Sequence, residues 1–573
     1  MLQTLTTPRG ETLSGMPWQV YPRPQMRRDS YINLNGEWDF AVSSGKPETF
    51  DMRITVPFCP ESRLSGIGRH FEEGAPLWYR RRFLLPEGFR RERVLLHIGA
   101  ADQIAEVFVN GQHLCRHEGG YASFCVDITE ALAEENELVI RCTDDLHDQA
   151  FPYGKQVMNR GGMWYTPVSG IWQTVWLESV PGTYIENLNI ENHGASVTIS
   201  TVPPLDGTVS VEQLGQFPLE NGQVTIAPEN PHFWCPDDPY LYRFTVETAQ
   251  DKVESYFAIR SLEIKKVGGY PRLCLNGKPY FFHGLLDQGY WPEGLLTAPA
   301  PESYADDVLA MKRLGFNTLR KHIKVEPEEF YYQCDRLGMI VWQDMVNNGS
   351  YSYFRDTVLP TVGIQKRNDR RLHRDERSRN AFRQGAADAV NQLKNHPCIC
   401  YWTIFNEGWG QFDSDRVCGW FRTLDATRFI DTTSGWFRGK DTDVDSRHQY
   451  FGKLRLTGDG LRPLVLSEFG GKTWRVEGHI FNPDKAYGYG ACPTREALNE
   501  AVAALYRESI VPAVEKGLCA AIYTQVSDVE DEVNGLITYD RRVVKLDADT
   551  MLPISRALQD AMEKTVASFE KMG

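Results

Sequence analysis

Nothing in this sequence approaches a run of about 18 apolar residues, so no membrane-spanning helix is expected. The start, MLQTLTTPRGETLSGMPWQV, lacks a charged stretch followed by an apolar core; no secretory signal is expected, and a cytoplasmic location is. There is no CxxC. The nearest pair among 12 cysteines is Cys398 and Cys400, so free thiols are expected in place of a disulfide framework or metal site. HExxH and any clustered His/Asp ligand set are missing, which argues against a metal-dependent hydrolase; no metal and no cofactor are expected. No basic block interrupts the acidic balance of 62 Lys and Arg against 76 Asp and Glu, net −14. Such a chain is a poor match for nucleic acid or an anionic membrane.

What the chain has is length and apolar material. At 573 residues it exceeds one ordinary domain, and two to four are expected. Hydrophobic residues make up 42%, and 14 Trp, 25 Tyr and 28 Phe suit β-rich cores as well as stacking on flat ligands. Residues 1–181 read as all-β: alternating runs such as Arg93–Ala100 and Ala105–Leu114 are bounded by turn signals, and Asn110-Gly111 marks a hairpin. Many short strands imply a sandwich or jelly roll. Residues 182–266 repeat the alternation in SVTISTVPP, GTVSVEQL, GQVTIAP and YLYRFTVETA, a length suited to an immunoglobulin-like sandwich.

From 267 to 573 short apolar runs alternate with helical stretches, as in βα units around a parallel sheet. Eight runs stand out: Pro279–Leu286, Phe316–Lys321, Met339–Asp344, Ile399–Phe405, Phe429–Ser434, Ser446–Tyr450, Pro463–Glu468 and Cys519–Gln525. Ser303–Gly315 reads as a helix capped by its serine, and Thr494–Gly517 as a longer amphipathic one. Eight strands in this length make a (β/α)8 TIM barrel, with little helix between runs five and six. Chemistry in such barrels sits at the C-terminal strand ends. Run four leads into Asn406-Glu407 and run seven ends in Glu468, so two carboxylates can meet across the mouth. Glycosidic cleavage needs such a pair, one a proton donor to the leaving oxygen and one ionised opposite the anomeric carbon. A separation of about 5–5.5 Å gives retention and roughly 6.5–9.5 Å inversion, a choice the sequence leaves open.

The segments LNGEWDF, VPFCPES, LWYRRRF, VFVNG, HEGGYASFCVDIT and YTPVSGIWQTVWLE, then WTIFNEG and LSEFGG, resemble glycoside hydrolase family 2, the family of β-galactosidases, β-glucuronidases and β-mannosidases. The resemblance covers nearly the whole chain. It implies a jelly roll, an immunoglobulin-like sandwich and a barrel in that order, with Glu407 as general acid/base, Glu468 as nucleophile, and retention. SRHQY resembles a strand-six segment, implying His448 for sugar contact and Tyr450 near the nucleophile. Three departures fall in the substrate pocket. LRKHIKVEP keeps Arg320, but the family's histidine position falls on Ile323, with His322 one residue early; HGLLDQGYWPEG lacks the family's Asn-x-His-Glu; and the Asn-x-Lys pair of many β-glucuronidases has its only match at Asn276-Gly277-Lys278, a hairpin ahead of strand one. That placement disfavours a glucuronidase. The expectation is a retaining, exo-acting β-glycosidase, β-galactosidase-like, with carbohydrate as its partner. The alternatives are another activity of the family (β-glucuronidase, β-mannosidase or another pyranosidase or furanosidase) or a carbohydrate-binding protein that has lost catalysis. A homo-oligomer is compatible with the sequence and not specified by it.

Other side chains are candidates for substrate binding. Asn406 adjoins Glu407. Arg320 can orient the nucleophile by charge-assisted hydrogen bonds, or tie the rim by an ion pair. Asp287 and Asp344 close strands; Asp287 suits either a sugar hydroxyl or a loop cap. Trp409, Trp436 and Trp474 follow strands four, five and seven, where a ring can stack on a sugar or simply pack. His283 and His322 read as core or rim residues, and the acidic stretch Ser527–Gly535 as a solvated loop in preference to a cation site.

Overall fold

The computed structural model of the chain describes residues 2–365, 368–454 and 456–570. Two antiparallel sheets face each other in the first unit. One has the spatial order Tyr31–Asn33, Val175–Val180, Arg93–Ile98, Phe124–Asp127; the other runs Met52–Val56, Gly36–Val42, Leu77–Phe83, Asn136–Thr143, Ile104–Val109, Gln112–Glu118. Alternation does the sorting: in Ile104–Val109, every second residue (Ala105, Val107, Val109) is buried against Leu96 and Ile98 of the other sheet. Asn110 and Gly111 both have positive φ, 50° and 82°, matching the type I′ turn whose twist suits the strands it joins. The next unit pairs Asn187–Asn192, Val197–Val202 and Gln223–Ile226 against a sheet of Gly215–Leu219, Gly207–Val211, Tyr242–Thr248 and Lys252–Phe257. Val209, Phe244, Val246 and Phe257 fill the space between them.

A buried ionic knot joins these two units. Arg28 pairs with Glu178 at 2.9 Å and with Asp251 at 2.7 Å, and Glu178 also meets His97 Nε2 at 3.2 Å and Tyr21 Oη at 3.0 Å. Burial alone would raise the Glu178 carboxyl, but hydrogen bonding from His97 and the charge of Arg28 outweigh it and hold it well below the ordinary value. Removing one partner of a buried pair leaves the other charge unpaired, at a cost of about 3–5 kcal/mol. Glu178→Gln should therefore lower the calorimetric melting temperature by several degrees; a change within one degree would show the knot to be neutral. A carboxyl lowered on folding adds stability that is complete above its unfolded pKa of about 4.3 and is lost as pH falls below it. The gap between wild type and Glu178→Gln should accordingly close on acidification below about pH 4.3.

The hairpin Tyr270–Leu275 and Lys278–Pro279, turning at Asn276-Gly277, leads into the barrel. Its eight strands are Phe282–Asp287, Thr318–Lys321, Ile340–Asp344, Ile399–Asn406, Phe429–Ser434, Asp445–Gln449, Leu464–Gly470 and Leu518–Thr524, one for each apolar run. Parallel ladders connect strands one to five and, around the other side, one to eight to seven to six. The joint between five and six has no ladder. It is closed by Asp443 N donating to Ile430 O at 3.0 Å and by serine hydroxyls, Ser434 to Ser446 at 3.3 Å and Ser467 to both. Among the described residues no helix separates these two strands.

Two local expectations need correction. The helix after strand one is Glu302–Arg313, and Ser303 lies buried inside it without capping. Pro301, at φ −56° and ψ −36°, already sits in helical geometry, so the turn begins before the serine. The Thr494–Gly517 segment is three pieces, Arg495–Leu505, a widened π turn Tyr506–Ile510, and Val511–Val514. Pro512 has no N–H to give, which fits the widened turn just ahead of it. Thr494 does cap this run, accepting from Ala497 N at 3.2 Å. All 12 cysteines are free. Among the described residues no helix is long and apolar enough to cross a membrane.

Candidate active site

Strand four ends at Asn406, and Glu407 follows with φ 54°, a left-handed conformation rare for a residue with a side chain. Its backbone is pinned on both sides: Glu407 N donates to Ser434 O, and its carbonyl accepts from Trp436 Nε1, each at 3.0 Å. Strained geometry held in this way is common where a side chain must be aimed. Glu468 lies within strand seven, where the ladder to strand eight slips between Leu466 and Phe469; the ladder from strand six slips between Arg447 and His448. Such irregularities re-aim side chains, here toward the mouth.

The two glutamates meet over one imidazole. His448 Nδ1 is 2.8 Å from Glu407 Oε1 and 3.6 Å from Glu468 Oε2, and one carboxylate oxygen of each glutamate lies within 4.8 Å of the other and of this ring. Its other nitrogen faces Ser434 Oγ at 3.0 Å and Arg320 Nη1 at 3.4 Å. Nδ1, which faces the two carboxylates, carries a hydrogen toward them. Glu407, His448 and Glu468 also form a set that a cation could bridge. The 2.8 Å contact, however, is a hydrogen-bond separation already formed between two members of the set.

Arg320, fully buried, gathers the rest. It donates to Asp344 Oδ1 at 2.9 Å, Glu468 Oε1 at 2.9 Å, Ser467 O at 3.1 Å and Asn406 Oδ1 at 2.8 Å, and so ties strands two, three, four and seven. Tyr450 Oη donates to Glu468 Oε2 and its ring stacks on Tyr489 at 4.0 Å. Burial alone would raise the Glu468 carboxyl; His448, Arg320, His322 and the Tyr450 hydroxyl more than offset this and hold it at about 2. Asp344 is likewise lowered, burial being outweighed by Arg320 and His322, whose Nδ1 lies 2.7 Å away.

The remaining candidates separate. Asp344 serves Arg320 and His322, behind the carboxylate pair. Asp287 is occupied by Lys321 at 2.7 Å and by the backbone N–H of Gly289, so the loop-cap reading fits it. His283 is a core residue, bonded to Gly315 O and packed on Phe316, its pKa pushed down to about 3 by burial. Trp436 is edge-on to His448, and Trp409 is buried among Tyr153, Trp164 and Tyr351. Trp474 is half-buried against the barrel core. Ile323, at the family histidine position, has φ 53° and is buried, while His322 takes the polar contact.

The acidic stretch Ser527–Gly535 is not a solvated loop: every residue in it is buried. Partners distant in sequence make this tolerable. Lys545 pairs with Asp528 at 2.6 Å, Arg160 with Asp531 at 3.1 Å, Thr166 N with Glu530 at 3.0 Å, and Tyr165 Oη donates to Glu532. Tyr165, Arg160 and Thr166 belong to the first unit, so its loop forms one wall of the mouth. Sequence reasoning missed this wall, including Lys155, Trp164 and Glu532, because no local pattern ties residues near 160 to residues near 530.

Comparison with known families agrees along the chain. Residues 267–455 match "Glycosyl hydrolases family 2, TIM barrel domain", 69–160 match "Glycosyl hydrolase 2 galactose-binding domain-like", and 183–260 match "Glycosyl hydrolases family 2". Among curated relatives, a β-galactosidase of Thermoanaerobacter pseudethanolicus is 24% identical over 57% of this chain and 44% of its own length. A β-glucuronidase of Bacteroides fragilis is 23% identical over 66% of this chain and 56% of its own. The chain thus spans about half the length of the first curated relatives it matches. Among solved structures, a β-glucuronidase from an uncultured Clostridium superposes with TM-score 0.70 at 19% identity, covering 95% of this chain and 100% of that one, a likeness of fold. With three family models in their proper order over jelly roll, sandwich and barrel, the chain belongs to glycoside hydrolase family 2.

Proposed function

We propose that the chain is a retaining, exo-acting β-glycosidase. The observation that carries this is the pair Glu407 and Glu468, with carboxylate oxygens within 4.8 Å of each other at the barrel mouth. That spacing leaves too little room for the intervening water of an inverting enzyme and suits direct attack. Glu468 attacks the anomeric carbon as the bond to the leaving oxygen breaks and Glu407 gives that oxygen a proton. Glu407 then takes a proton from the water that displaces Glu468 and frees the sugar. Arg320 and Tyr450 keep Glu468 ionised and aimed, and Arg320 also fixes the amide oxygen of Asn406. Exo action is supported by the first unit's loop, which Tyr153 Oη fastens to Gly349 O at 2.8 Å and Tyr165 to Glu532, closing one side of the mouth.

For the sugar, a β-galactoside remains the first reading and a β-glucuronide the second. The second is favoured by the names of most of the similar proteins, although Asn276-Gly277-Lys278 stays in its hairpin ahead of the barrel. A panel of nitrophenyl β-glycosides (galactoside, glucoside, glucuronide, mannoside, arabinoside, fucoside) should reveal one or two good substrates. Proton NMR of the early reaction should show the β-anomer of the sugar first. An α-anomer appearing first would refute retention, and no turnover of any β-glycoside would refute the glycosidase reading.

A further inference from the structure

One cation at the mouth has no role in the carboxylate machinery. Lys155 belongs to the first unit and is 8% exposed, yet among the described residues its ammonium has no hydrogen-bond or ion-pair partner. The Nζ atom itself is not sealed from solvent, so this ammonium, on a side chain otherwise buried, is free to donate to an acceptor that reaches it. Nζ lies 5.5 Å from the centroid of the Trp164 ring. Trp164 in turn packs edge-on against Trp409, two residues beyond Glu407, with centroids 5.2 Å apart. The ammonium is also near enough to His322 and Glu532 for its charge to bear on both, and His322 is one of the groups acting on Glu468.

The backbone is built to deliver this side chain. Gly154 has φ 64°, and a Cβ there would lie 2.7 Å from Tyr121 Oη and 3.1 Å from Ile323 O, so only glycine lets the loop seat against the rim. Ile323 itself is in the left-handed region, unusual for a β-branched residue, and it directly follows His322. Tyr153 N donates to Asn347 O at 3.1 Å on one side of Lys155, and Tyr165 N donates to Lys155 O at 3.0 Å on the other.

Building on the glycosidase reading, we infer that Lys155 is a specificity-determining residue whose ammonium donates to an oxygen of the bound sugar, remote from the bond that is cleaved. The oxygen is either a ring hydroxyl or a uronate carboxylate. The first unit would then read the sugar while the barrel cuts it.

The test compares wild type, Lys155→Met and Lys155→Arg on the nitrophenyl glycoside that wild type cleaves fastest, on its monodeoxy analogues, and on the matching uronide. Lys155→Met should lose about 10- to 100-fold in kcat/KM, the worth of a hydrogen bond to a charged group. That loss should vanish on the one analogue lacking the contacted hydroxyl, and Lys155→Arg should recover part of it. If the loss is confined to the uronide, the partner is the carboxylate. An equal loss on every neutral substrate and on the uronide alike, or no loss on any of them, overturns the assignment, since a purely structural lysine does not distinguish one oxygen of the sugar from another. A thermal melt of Lys155→Met within a few degrees of wild type keeps the comparison valid; should it melt far lower, the Lys155→Arg variant carries the same deoxy-analogue test, with an unchanged profile across the analogues counting against the inference. Wild type that cleaves none of the panel would sink the glycosidase reading, and this inference with it.

Discussion

Glu468→Gln should abolish hydrolysis, with kcat falling by about 10⁴-fold or more on every substrate, as when a nucleophile acting within a catalytic unit is removed. The change is nearly isosteric: the amide oxygen can still accept from Arg320 while its NH2 faces the Tyr450 hydroxyl, which can accept, but an amide cannot form the glycosyl-enzyme bond. Substrate should still bind, and titration calorimetry with an uncleaved glycoside is the companion measurement. Loss of binding together with turnover would mean that Glu468 holds the pocket's shape in place of attacking. Because surrounding charge keeps this carboxyl at about 2, Glu468 is ionised across the ordinary working range. The acid limb of wild-type activity should therefore not follow Glu468 until pH falls toward 2. Its contribution to folding follows the same sign as that of Glu178, complete above about pH 4.3 and lost as pH drops toward 2.

The second large effect should depend on the leaving group. In Glu407→Ala, a glycoside with an alkyl leaving group should lose about 10²- to 10⁴-fold in kcat/KM, the usual worth of general acid catalysis. A dinitrophenyl glycoside, whose leaving oxygen needs no proton, should form the glycosyl-enzyme nearly as fast as in wild type. It should then stall, since no base remains to activate water. Sodium azide, small enough for the space vacated by the side chain and needing no base, should restore turnover and give a β-glycosyl azide. Equal losses on both substrate types, or no azide product, would mean that Glu407 is not the proton donor.

The barrel was legible because most of its strands are buried on both faces and several read as unbroken apolar runs, as in ICYWTIF; strand six, Asp445–Gln449, is polar and only partly buried. Glu407 and Glu468 were legible because a charge at the end of such a run needs a reason. His448 and Tyr450 came from the family resemblance, and their bonds to the two glutamates are visible only in three dimensions. What stayed hidden is what several segments make jointly. Ser527–Gly535 looked solvated because the residues that neutralise it, Arg160, Tyr165 and Lys545, are not its neighbours in sequence. Lys155 sits in a loop with no periodicity, and its setting is created by Gly154 meeting Ile323 across a unit boundary. Ser303 misled for the opposite reason: a good local signal was overridden by the proline two residues ahead of it.

The seating of Gly154 under Ile323 O bears on how such proteins diversify. A front module that carries its own piece of the pocket cannot be swapped as inert packaging. Grafted onto a sister barrel, it would bring along Lys155 and Trp164, and any bulk added at that glycine would push the loop off the rim without touching either glutamate.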